Sequence, residues 1–199
     1  MSQFISQIYV RINGRGKIVA FIDRDGTIVK EVNYLSKKEQ IQILPKVVEG
    51  IQLLNKHGAI IIVITNQPVV ARGFAEVGDV KDINNLLVEL LREKGAIVNA
   101  VYFCPHHPYA DILKYKMSCL CRKPEIAMFE RSADDFHIDL KNAYIIGDTT
   151  RDFLAGEKLK IPSICVQTGY RGKDNTYPVA PVHKAKTFLD AVNIIISKL

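Results

Sequence analysis

A chain of 199 residues, 48% hydrophobic and 24% charged, can bury a sizeable core, which excludes a disordered or low-complexity polypeptide. No apolar run approaches the ~20 residues that span a bilayer. The first residues alternate polar and apolar, unlike a secretion signal, so a cytoplasmic protein with no membrane partner is expected. The formal charge of +6 and pI near 9.1 suit an anionic partner, metabolite or nucleic acid, but Lys and Arg are too dispersed for charge alone to choose.

Residues 1–16 read as an N-terminal extension, with an edge strand over 7–12. Gly14 and Gly16 precede a strand and so form no dinucleotide loop. Residues 18–22 are apolar and rich in β-branched side chains, the pattern of a strand buried on both faces in a parallel sheet. The strand ends in Asp23-Arg24-Asp25-Gly26-Thr27. Alternate residues of an extended segment point the same way, so Asp23 and Asp25 converge beyond the strand's carboxyl end, where open α/β sheets bind ligands. Carboxylates this close repel, and Mg²⁺, a hard cation that takes oxygen ligands and substrate phosphates, compensates them. An EF-hand would need Gly and Glu where the chain has Ile28 and Tyr34.

Residues 28–44 read as a substrate-facing loop. Pro45 opens a helix whose apolar face is Val47, Val48, Ile51, Leu53 and Leu54 and which stops at Gly58. A second buried strand, 59–65, ends in Thr65-Asn66-Gln67. A helix over 80–94 stops at Gly95, and a third strand, 97–103, leads into a Cys/His segment. Pro124 opens a helix to 136. A fourth strand over 142–146 ends in Gly147-Asp148, followed by a helix over 153–159 and a fifth strand over 163–167. A basic, polar loop over 169–184 precedes the closing helix, 187–199. Strands alternating with helices give an α/β fold with a parallel sheet and right-handed crossovers, in one domain over 1–199.

Two spaced pairs, Cys104-Pro105-His106 and Cys119-Leu120-Cys121, bring three thiolates and an imidazole together. That donor set suits a filled, structural Zn²⁺ site. Its role would be to pin 104–121 so that Arg122 and Lys123 point into the active site. The residues leave His107 as a rival to His106, and Cys165 reads as a core thiol.

The stretches FIDRDGT, VITNQ, Lys123 and IIGDTTRD resemble the four motifs of the haloacid dehalogenase (HAD) superfamily of phosphatases. Within it, DRDGT, TNQ with ARG following, CPHHP, CLCRKP and IGD are similar to the D-glycero-D-manno-heptose 1,7-bisphosphate phosphatases, from residue 17 to the C-terminus. Histidinol-phosphate phosphatases are close relatives. The resemblance implies a Rossmann-like parallel sheet sandwiched by helices, a zinc-binding loop and no large cap domain. It implies an Mg²⁺-dependent phosphomonoesterase working through an aspartyl-phosphate, with Asp23 as nucleophile and Asp25 as acid and base. Mg²⁺ would lie between Asp23, Asp148 and the backbone carbonyl of Asp25. Thr65 and Lys123 would hold phosphoryl oxygens, and Asp152 would position Lys123 or a metal-bound water. Arg24, Glu31, Tyr34, Asn66, Gln67, Arg72, Arg122 and Thr149 would face a small sugar bisphosphate, and the resemblance favours His106 as the zinc ligand.

Removal of the 7-phosphate, in the synthesis of a nucleotide-activated heptose, is the expected activity. The alternatives are histidinol phosphate and, against the zinc loop and the lack of a basic or aromatic tract, a 3′-phosphorylated polynucleotide. No nucleic-acid partner is therefore expected, and a monomer is favoured. Val29, Asn33, Pro68-Val69 and Thr149 stand where the heptose enzymes usually carry Asn, Gly, Ser-Gly and Lys. These changes bear on the sugar and its anomer and leave phosphomonoester chemistry untouched.

Overall fold

The computed structural model describes residues 4–199. Strand β2 (Val19–Ile22) is buried along its whole length, so both faces of the sheet around it must be covered. Its pleat divides the core: Ala20 and Ile22 pack into one apolar cluster, Val19 and Phe21 into another. The first cluster is closed by α1 (Val47–Lys56), α3 (Val77–Glu93) and α6 (Phe188–Ile196), through Ile51, Leu87 and Val192. The second is closed by α4 (Ala127–Phe136) and α5 (Thr150–Leu159), with Phe129 edge-on to Phe21 at 5.1 Å. Each such side chain contributes about 1.5–3 kcal/mol by leaving water.

The other strands are β1 (Ile5–Ile8), β3 (Ile60–Asn66), β4 (Ala100–Cys104), β5 (Ala143–Gly147), β6 (Ser163–Val166) and β7 (His183–Ala185). They lie in the order β1-β4-β3-β2-β5-β6-β7, all parallel except β1, which runs antiparallel to β4. The mostly parallel sheet between helices is the expected HAD-like, Rossmann-like architecture. Short 3-10 turns, Lys38–Gln40 and Leu113–Tyr115, are the only regular helical structure between β2 and α1 and between β4 and α4, so no cap domain stands over the carboxyl edge. Among the described residues, no helix is long and apolar enough to cross a membrane.

Several boundaries differ from expectation for local reasons. The edge strand runs over 5–8 because Ile5 pairs with Phe103 in the β4 register. Helices α3 and α5 each start three residues early, where Glu76/Asp79 and Thr149/Asp152 form capping boxes. The helix expected at Pro124 starts at Ala127, since Glu125 N–H first closes a turn onto the Arg122 carbonyl at 2.8 Å. The segment read as a loop to 184 ends in β7, whose three residues show no apolar alternation. A one-turn helix, α2 (Pro68–Ala71), lies in the stretch after TNQ.

The functional consequence is simple. Strand β2 pairs in register with β3 on one side and β5 on the other, so Asp23, Thr65 to Gln67 and Asp148 emerge side by side.

Candidate active site

Lys123 anchors the floor of the cleft. It is 3% exposed, and Nζ donates to the Ile64 carbonyl at 2.7 Å, Asp152 Oδ1 at 2.6 Å and Asp23 Oδ1 at 2.8 Å. Burial pulls its pKa down, but Asp152 and Asp23 outweigh this and hold it above the ordinary lysine value. Asn66 grips the same residue by its backbone, accepting from Lys123 N–H at 2.9 Å and donating to its carbonyl at 3.0 Å.

Around that cation the acids are crowded. Asp23, Asp148 and Asp152 each offer a carboxylate oxygen, and these atoms lie within 4.8 Å of one another. Burial pushes Asp23 up to about 6 against the pull of Lys123, and burial with the charges of Asp23 and Asp152 pushes Asp148 up to about 9. Asp148 Oδ2 accepts from Tyr170 N–H at 2.7 Å, whereas its buried Oδ1 has no hydrogen-bond partner. A buried acceptor facing two further carboxylates is what a hard divalent cation satisfies. The donor set fits such an ion.

Room for this arrangement is made by glycine. A Cβ on Gly26 or Gly169 would collide with the Asp148 carboxylate, and both residues have positive φ, +77° and +52°. Gly169→Ala is expected to displace Asp148, lowering kcat by ~10²-fold and stability by about 1–2 kcal/mol; steady-state rates and a thermal melt check it.

Asp25 lies outside the carboxylate group. Arg24 holds both its oxygens at 3.0–3.3 Å and Gln67 Nε2 donates to Oδ2 at 2.7 Å, which leaves the backbone carbonyl, the atom named above, as what Asp25 can offer an ion. Gln67 also donates to Thr65 Oγ1 at 2.9 Å. The Thr149 hydroxyl is turned onto Asp152 at 2.7 Å.

These groups open into a cleft of ≈ 260 Å³ that Asp23, Asp25, Thr65, Asn66, Gln67 and Lys123 share with Glu31, Tyr34, Arg122 and Thr149. Burial and the nearby Asp25 push Glu31 up to about 7. Two residues expected to face substrate do not line the cleft. Arg24 is fully buried, because the pleat that aims Asp23 and Asp25 at the cleft aims the residue between them the other way. Arg72, just beyond α2, reaches Asp111 of the cysteine segment at 3.3 Å.

Three lining residues are not singled out by the sequence, Leu35, Tyr170 and Arg151, and His107, which the sequence offers only as a rival zinc ligand, lines the cleft as well. Arg151 sits in the first turn of α5, two residues past Thr149, where a cation near the phosphate motif is the readable signal. Asn33 has φ +66°, a left-handed conformation that Asn tolerates better than most residues other than Gly, so the loop keeps this turn with Asn in place of Gly.

The cysteine segment closes on itself beside the cleft. Sγ atoms of Cys104, Cys119 and Cys121 lie 3.0–3.5 Å apart, beyond a disulfide bond, and His106 Nδ1 is 3.6 Å from Cys104 and 3.4 Å from Cys121. Hydrogen bonding from Cys104 and Cys121 holds the Cys119 thiol far below the ordinary value. The four atoms suit a closed tetrahedral zinc site. His107 is turned away, its Nδ1 accepting from Tyr109 N–H at 3.1 Å. The site touches the cleft directly: Arg122 Nη1 donates to the carbonyl of His106 at 3.0 Å.

Known proteins match this fold and these motifs. The HAD-hydrolase-like family profile matches residues 120–191. D-glycero-alpha-D-manno-heptose-1,7-bisphosphate 7-phosphatase of Photorhabdus laumondii is 36% identical over 159 residues, 79% of this chain and 87% of the relative. The D-glycero-D-manno-heptose-1,7-bisphosphate 7-phosphatase of Chlorobaculum tepidum is 32% identical over 182 residues, 87% of this chain and 92% of the relative. A crystal structure of the D,D-heptose 1,7-bisphosphate phosphatase of B. bronchiseptica, complexed with magnesium and phosphate, has the same fold. Its TM-score is 0.81 at 23% identity, covering 92% of this chain and 99% of that one. The chain belongs to the HAD-type phosphatase family that includes the D-glycero-D-manno-heptose-1,7-bisphosphate 7-phosphatases.

Proposed function

We propose that this chain removes the 7-phosphate of D-glycero-D-manno-heptose 1,7-bisphosphate by way of an aspartyl-phosphate. The observation that carries the reading is the buried cluster in which Lys123 binds Asp23 and Asp152 while Asp148 keeps an unpaired oxygen. The names of the relatives supply the substrate.

Asp23 attacks phosphorus and the bond to the sugar oxygen breaks. Asp25 gives a proton to the departing alkoxide, then takes one from the water that attacks phosphorus and frees Asp23. The Thr65 hydroxyl and the Lys123 ammonium hold the non-bridging oxygens as charge builds on them, and Asp152 keeps Lys123 in place. Asp23, Asp148 and the Asp25 carbonyl would hold Mg²⁺, which neutralises the crowded acids and polarises the phosphoryl group. The zinc site is structural. Arg122 and Arg151 line the cleft beyond Lys123 and are suited to a second phosphate, the feature that separates a sugar bisphosphate from histidinol phosphate. All these groups come from one chain, so a monomer suffices.

The test is a comparison of kcat/KM. Heptose 1,7-bisphosphate is expected to exceed histidinol phosphate and a 3′-phosphorylated oligonucleotide by ~10²-fold or more, the scale of one lost charged contact. Preference for either of the other two overturns the substrate assignment.

A further inference from the structure

Arg24 is the largest fully buried side chain among the described residues, and the mechanism gives it no task. It is fully buried, with its guanidinium inserted beneath the cleft. Nε and Nη2 both reach the Asp25 carboxylate at 3.0–3.3 Å, Nη2 also donates to Gln67 Oε1 at 2.7 Å, and Nη1 donates to Asn84 Oδ1 at 2.8 Å. A buried charge persists only where its donors are met, and here they are met by a planar fork that fixes direction as well as charge. The carboxylate it holds is not interior: Asp25 keeps 21% of its side chain exposed and lines the cleft.

The contacts continue outward. Asn84, fully buried on α3, donates to Gln7 Oε1 at 3.0 Å. Gln7, on the antiparallel strand β1, donates back to α3 at Asn85 Oδ1 (2.9 Å) and the Lys81 carbonyl (3.0 Å). A polar chain thus runs from the N-terminal strand through α3 to the reacting carboxylate.

We propose that Arg24 is a positioning residue that aims Asp25 at the leaving-group oxygen, and that Gln7 and Asn84 brace it from β1 and α3. The inference rests on the reading of Asp25 as the proton donor, and the experiment separates the two. A nitrophenolate leaves without help, whereas an alkoxide needs the proton, so a misaimed Asp25 penalises alkyl esters selectively.

The measurement is kcat/KM for sn-glycerol 3-phosphate and for p-nitrophenyl phosphate, in the wild type, Asp25→Asn, Arg24→Lys, Asn84→Ala and Gln7→Ala. Arg24→Lys keeps the charge and removes the fork. It is expected to lose ~30-fold more on the alkyl ester than on the aryl ester, with Asp25→Asn showing the same selectivity at least as strongly. Asn84→Ala, which serves if Arg24→Lys does not fold, is expected to show a ~5-fold selective loss, and Gln7→Ala a smaller one of the same sign. Equal losses on both esters for Arg24→Lys or Asn84→Ala, beside a selective Asp25→Asn, overturn the role of Arg24 and leave that of Asp25 standing. An unselective Asp25→Asn overturns both. No selectivity in Gln7→Ala removes β1 from the proposal.

Discussion

Asp23→Asn should abolish turnover, by ~10⁴-fold or more, while the protein stays folded. The amide keeps the shape of the carboxylate but not its nucleophilicity, so no aspartyl-phosphate can form. The fold should tolerate the change for an electrostatic reason. Asp23, Asp148 and Asp152 crowd around one ammonium, and burial already holds Asp23 up to about 6 and Asp148 up to about 9. Removing one of three acids lessens that repulsion. The melting temperature of the metal-free variant should therefore match or exceed that of the wild type, and added Mg²⁺ should raise it less. Turnover near the wild-type rate would rule out Asp23 as nucleophile. A large drop in melting temperature would show that its pairing with Lys123 outweighs the crowding.

Loss of the zinc site should have the second largest effect. Cys121 is 2% exposed and its Sγ lies 3.1 Å from Cys104 and 3.4 Å from His106 Nδ1, so Cys121→Ser removes a central ligand. Apart from the cysteines, the segment is held on α2, where Asp111 and Ile112 N–H donate to the Ala71 carbonyl at 3.0 Å, while Leu113 and Leu120 are 83% and 75% exposed and its regular structure is one short turn. Loss of a structural metal belongs to the large-effect class of changes, and ~3 kcal/mol would lower the melting temperature by about 10 °C in a chain of this size. Activity should fall too, because Arg122 hangs on the His106 carbonyl and Lys123 follows it. Metal analysis should find about one zinc per wild-type chain and none in the variant. Activity lost to a chelator should return with zinc and magnesium together and not with magnesium alone. A variant that keeps both its melting temperature and its rate would show that the cysteines have no structural task.

The parts of this account that could be read from the sequence are those set by local periodicity. The apolar run over 18–22, bounded by two aspartates, specifies a central strand and the groups at its end, and 59–65 does the same for Thr65. What escaped reading depends on contacts far along the chain. Arg24 meets Asn84 across 60 residues, and Asn66 grips Lys123 across 57. The motif places Arg24 against substrate, yet the pleat that pairs Asp23 with Asp25 turns Arg24 inward, whereas Asn66 lines the cleft as expected from the motif and also grips Lys123. Strand β7 was hidden because His183 and Lys184 at a sheet edge need no apolar alternation. Arg151 was passed over because a lone arginine in a helix is ordinary until the cleft beside it is known.

One chemical event underlies the reaction proposed for this protein: the phosphoryl group rests on residue 23 after it leaves the sugar alcohol and before water takes it. Rapid quenching of the wild type during turnover, followed by peptide mapping, looks for it directly. A phosphoryl group that is lost to hydroxylamine, on the peptide holding Asp23, is what the mechanism requires. A phosphoryl group on another residue, or none on any residue at any quench time while a multiple-turnover reaction shows a burst of released alcohol, would contradict it.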